Sequence, residues 1–140
     1  MEYIRRYAMD AIEKGLIEVK DNTDKGYHPM VYFEGWRVAY LNEIEKFHLE
    51  KIDDLQRHNT SDETFILLEG KCTIYIGDGG DGEPGHITPV PLEAGKMYNI
   101  KKGVWHTHAL SEGARVIVIE NADVSDANSD HLAVKLTDIL

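Results

Sequence analysis

The hydrophobic pattern of the chain changes period once, near residue 15. Before that point Ile4, Tyr7, Ala8, Ala11 and Ile12 recur at helical spacing, and Gly15 stands where helices commonly stop. The spacing predicts one amphipathic helix over residues 1–15. Beyond it apolar and polar positions alternate in short runs: "LIEV" 16–19, "MVYFEG" 30–35, "WRVAYL" 36–41, "EKFHLE" 45–50, "TFILLE" 64–69 and "CTIYIG" 72–77. "ITPVPLE" 87–93, "MYNI" 97–100, "VWHTHAL" 104–110 and "ARVIVIE" 114–120 follow. Turn residues part these runs at intervals of roughly ten, the spacing of an antiparallel sandwich or barrel. Pro89 and Pro91 mark their run as an edge or irregular strand. Helical crossovers have nowhere to fit, so the fold class is mainly β.

The segment "GDGGDGEPG" (77–85) is read as a long hairpin loop. Its acids lack the alternating spacing of an EF-hand, and it carries no Lys and opens no helix, as a phosphate cradle would. The chain divides into the helix at 1–15, a β-barrel at 16–122 and a polar tail at 123–140. That tail reads either as a last strand or as a fraying end.

Composition narrows the function classes. The chain has 140 residues, the length of one domain with a sizeable core, so it needs no metal or disulfide to fold. The net charge is −10 with no Lys/Arg block, which excludes a nucleic-acid groove. Cys72 is alone, in phase with Ile74 and Ile76, and reads as a buried apolar thiol. No stretch has the apolar core of a signal peptide or the length of a membrane span, so a cytoplasmic protein with no membrane partner is expected.

The chemistry concentrates in two stretches, "QRHNTSDETFILLEG" (56–70) and "GKMYNIKKGVWHTHAL" (95–110). In the first, four residues separate His58 from Glu63, and six separate Glu63 from Gly70. In the second, Gly95, Gly103 and His106 recur at fixed offsets, and His108 shares the strand face of His106. Together and in this order the two stretches resemble the paired motifs of the cupin superfamily, over roughly residues 45–120. The sequence departs from that pattern in three places: Gln56 replaces the first motif histidine, Lys101 a proline and Leu110 an asparagine.

The resemblance implies a small jelly-roll β-barrel with a mononuclear metal inside, held here by His58, Glu63 and His106. Two imidazoles and a carboxylate independently suit a divalent ion such as Fe, Mn, Zn or Ni and leave positions open for substrate. Period two then turns Phe65 inward with Glu63, and His108 inward with His106. Gln56 and Phe65 are expected in the pocket. His108 is either a substitute ligand or a catalytic acid/base facing the substrate. A small-molecule ligand is the expected partner, acted on by an oxygenase, isomerase or lyase step. The alternative is a metal-free barrel in which the same residues bind a sugar or an acid, as a sensor or an epimerase-like enzyme. Such an enzyme calls for a second carboxylate hydrogen-bonded to the base, which no motif locates. Homodimerisation through the helix at 2–14 or the "MVYF" strand follows from fold analogy. His28, His48, His86 and His131 read as surface residues. Trp105, out of phase with His106, is expected to face away from the pocket.

Overall fold

Ten antiparallel strands, formed where the sequence alternates, stack as two five-stranded sheets in a computed structural model that describes residues 1–140. Helix α1 (Glu2–Glu13) precedes β1 (Gly26–Phe33), β2 (Trp36–Asn42), β3 (Asp54–His58), β4 (Glu63–Glu69) and β5 (Cys72–Gly77). Strands β6 (Ile87–Pro91), β7 (Met97–Ile100), β8 (His106–Leu110), β9 (Arg115–Asn121) and β10 (Ser129–Ala133) complete the chain. One sheet runs β1-β2-β9-β4-β7 and the other β10-β3-β8-β5-β6. Inward-facing positions meet in a core of Leu41, Phe65, Leu67, Ile74, Leu110, Val116 and Val118. The alternation that buries Phe65 and Leu67 also turns Glu63, two residues earlier, into the barrel.

The opposite face of the second sheet carries a smaller cluster of Ile52, Leu55, Tyr75, Ile87, Trp105 and Leu136. Trp105 does point away from the pocket. Its Nε1–H donates to the carbonyl of Gly82 at 2.9 Å, and Arg57 lies over its ring at 4.8 Å. The glycine-rich loop is thereby docked on the sheet. Edge strand β6 accommodates Pro89 and Pro91, where missing amide donors cost no inner ladder bonds.

Two alternating runs are not strands. Residues 16–19 lie outside both sheets, because β1 is the edge and begins only at Gly26. Residues 45–51 form two single 3-10 turns, since here the chain crosses from β2 in one sheet to β3 in the other. That crossing aims Phe47 at the barrel interior. The segment after residue 123 forms β10, paired with β3 from Ser129↔His58 to Ala133↔Asp54. Helix α1 buries none of its residues.

Candidate metal centre and its cavity

His58 ends β3, Glu63 begins β4 and His106 begins β8, so three strand termini converge at one end of the barrel. Their side chains are all buried. His58 Nε2 lies 3.4 Å from Glu63 Oε2, and His106 Nε2 lies 3.1 Å from Glu63 Oε1. One ligand atom from each residue falls within 4.8 Å of the others. His58 and Glu63 open onto a cavity of about 520 Å³, which Gln56 and Phe65 also line, with His106 behind them. Gln56 sits opposite His106 in the β3–β8 register.

Each imidazole is oriented from behind. His106 Nδ1–H donates to the carbonyl of Val104 at 2.9 Å, which leaves its Nε2 lone pair aimed at the cluster in the neutral ring. His58 Nδ1 hydrogen-bonds the Ser129 hydroxyl at 2.8 Å. With Nδ1 of His106 committed as a donor, a neutral His106 would set a lone pair against the Glu63 carboxylate. A proton or a bound metal ion among these atoms would relieve that opposition. The charges follow. Burial acts to raise the Glu63 pKa, but hydrogen bonds from His106, His58 and Glu120 overcome it and hold the carboxyl well below its usual range. Burial acts to lower His58, and Glu63 reverses this, so His58 is raised. The donor set fits a divalent transition metal: two Nε2 atoms and a carboxylate, with the imidazoles fixed through their second nitrogens.

His108 sits one pleat further along β8, opposite Ile74 and beside the apolar core. Its ring lies 4.9 Å from Phe47 and 5.4 Å from Phe65, and neither of its nitrogens has a hydrogen-bond partner. Burial pushes its pKa down to about 4, so His108 is a neutral imidazole near pH 7. His108 thus brings two unpartnered ring nitrogens to the cavity wall.

Sequence reasoning missed the carboxylate beside Glu63. Glu120 of β9 is the direct cross-strand neighbour of Glu63. Its Oε1 accepts from Tyr27 Oη and from Arg37 Nη2, both at 2.8 Å. Burial, then the charge of Glu63, raises the Glu120 pKa to about 7, although Arg37 and Tyr27 pull it back. Glu120 Oε2 is buried without a hydrogen-bond partner. The available signal was a glutamate in phase with the buried Val116 and Val118. His131 is exposed, as read from the sequence, and also lines the cavity, clamped by Asp54 at 2.9 Å and Asp126 at 3.2 Å. His48 bonds Glu43 at 3.0 Å, outside the cavity.

Comparison with solved structures places this architecture. A cupin-2 domain protein from Shewanella frigidimarina superposes with a TM-score of 0.51 at 21% identity, over 78% of this chain and 88% of that one. The chain has the cupin fold. The nucleoside dehydratase Pac13 of Streptomyces is similar, with a TM-score of 0.54 at 9% identity over 84% of this cupin barrel and 93% of its own length. Fe(II) HppE superposes at 0.53 with 16% identity, over 74% of this chain and 53% of that one. At these identities the likeness is one of fold. No family model and no curated protein matches the sequence.

Proposed function

We propose that this cupin barrel holds a divalent transition metal (Fe, Mn, Zn or Ni) on His58, Glu63 and His106 and takes a small molecule into the adjoining cavity. The observation that carries the reading is the convergence of two backed imidazole Nε2 atoms on one buried carboxylate. A bound ion would supply Lewis acidity and a template for substrate. The chain's own side chains do the rest. Val104 and Ser129 fix the two imidazoles. Tyr27 and Arg37 hold Glu120 against Glu63 with a proton available near neutral pH. Phe47, Phe65 and Val118 line the cavity as an apolar wall and keep water from His108. Fe(II) HppE, of the same fold, is named as an iron protein.

A second reading is favoured by one observation, the buried Glu120 set directly beside Glu63 across β4 and β9. That residue is the second carboxylate a metal-free acid/base enzyme of the epimerase kind would need. Metal analysis of untagged protein separates the two. The metal reading expects about one ion per chain, its loss in His106→Ala and its retention in His108→Ala. Metal-free wild-type protein whose melting temperature is unmoved by added Mn(II), Fe(II), Zn(II) or Ni(II) leaves only the acid/base reading. The assembly proposed with either is a homodimer, covering the exposed apolar side chains of α1.

A further inference from the structure

The cavity carries two features that the metal cluster does not use. The first is His108, a fully enclosed imidazole whose nitrogens both lack partners although its ring is packed between Phe47 and Phe65. A buried polar group left unpaired is destabilising, so it marks a place where a bound molecule completes the hydrogen bonding. A hydroxyl group, itself donor and acceptor, can pair with either ring nitrogen of an imidazole whether or not that nitrogen carries a proton.

The second feature is the charge around the cavity. Asp53, Asp54 and Asp126 line it beyond the cluster's own Glu63, with His131 held between Asp54 and Asp126, against Arg37 and Lys46. Arg37 is already spent on Glu120, with Nε and Nη2 at 3.3 and 2.8 Å. A phosphate or carboxylate would meet more like charge than unlike, and the one remaining lysine is a single contact. Ser125, Ser129 and Gln56 add uncharged hydrogen-bonding groups to the wall. The volume, about 520 Å³, lies within the range of small-molecule sites and has room for a monosaccharide.

We infer that the cavity recognises a neutral polyhydroxylated molecule of the sugar class, with His108 hydrogen-bonding one of its hydroxyls between the rings of Phe47 and Phe65. The inference rests on the small-molecule reading of the cavity; the hydrogen bond to His108 needs no metal, and the selection against anions is that of the metal-free protein, because a bound divalent ion would add positive charge beside Glu63. His108 is then a specificity residue, and the acidic wall selects against phosphorylated and carboxylated analogues.

The test uses D-glucose and D-ribose as neutral probes, with D-glucuronate and D-ribose 5-phosphate as anionic counterparts. Binding is followed by ligand-observed NMR and by the ¹⁵N shifts of the histidine side chains, with metal content measured on the same samples. Saturable millimolar binding of a neutral probe is expected, with movement of the His108 nitrogen signals. The matching anionic probe should bind at least tenfold more weakly. His108→Phe should weaken the neutral probe at least tenfold, whereas His108→Gln, which keeps a donor and an acceptor, stays within about threefold. Tighter binding of either anion, binding unaffected by His108→Phe, or no saturable binding of a neutral probe would overturn the inference. Sugar binding through His108 in protein that takes up none of the added Mn(II), Fe(II), Zn(II) or Ni(II) sinks the metal reading alone; metal-loaded protein that ignores neutral sugars sinks this inference alone.

Discussion

His108 shows how one side chain can be both costly and informative. Its pKa of about 4 in the folded protein lies below the ordinary 6.5, so the unfolded chain binds the extra proton first. The stability this neutral imidazole confers is complete above pH 6.5 and is lost as pH falls toward 4. By the size of the shift the loss is roughly 3 kcal/mol. Chemical denaturation of the wild type between pH 7 and 4 should show this decline, and His108→Phe should flatten it. An equally steep decline in the variant would place the acid sensitivity elsewhere. At this scale the sequence was legible where spacing is rigid: period two alone puts His106 and His108 on one buried face. Glu120 was not legible, because a lone glutamate at a strand end usually points to solvent, and only the β4–β9 register sets it against Glu63. Gln56 was readable as a missing histidine, and it does reach the cavity wall.

The strands themselves depend on a few residues that set their ends. Gly70, in the turn between β4 and β5, has φ +75°, and a Cβ there would lie 2.7 Å from Ala114 Cα. Gly95 has φ +84° but open space around it. Gly70→Ala should therefore cost at least roughly 2 kcal/mol, from left-handed strain plus a backbone clash, and Gly95→Ala only about 1. Equal losses in urea titrations would show that the approach to Ala114 is not tight. Asp62, just before Glu63, ties the turn ahead of His106 to β4: it accepts from the Lys102 amide at 2.8 Å, Asn99 Nδ2 at 3.0 Å and Lys101 Nζ at 3.0 Å. The hydrogen bond from Asn99, with those from Lys101 and the Lys102 amide, lowers its pKa from 3.8 to about 2. A depressed carboxyl stabilises the fold above pH 3.8 and stops doing so as pH falls through 2. Asp62→Ala should lower the melting temperature at pH 6, and the gap to wild type should close near pH 2. Most strands could be read from alternation, but residues 45–51 could not. Their apolar spacing fits a strand, and only the crossing between sheets makes turns of them.

Over the whole molecule, the two-sheet barrel was readable from the number and spacing of alternating runs. What covers α1 was not, because a helix's partner leaves no trace in its own period. Tyr3, Ile4, Tyr7 and Ile12 of the helix are exposed, as are Leu16, Ile17 and Val19 after it and Tyr32, Phe33 and Trp36 at the β1–β2 turn. Such a set is large for a monomer's surface. Light scattering at micromolar concentration should give a dimer for the full chain and a monomer once residues 1–15 are removed. A monomeric full-length protein would end the dimer proposal.

Strand β10 has a temporal meaning as well as a spatial one. It lies against β3 and delivers Ser129 to His58 and His131 to the cavity wall, yet it leaves the ribosome after every other strand. The apolar interior, complete by Val118, can close before it arrives. A chain whose interior closed before β10 paired would have its His58 ring still without the hydroxyl that orients it.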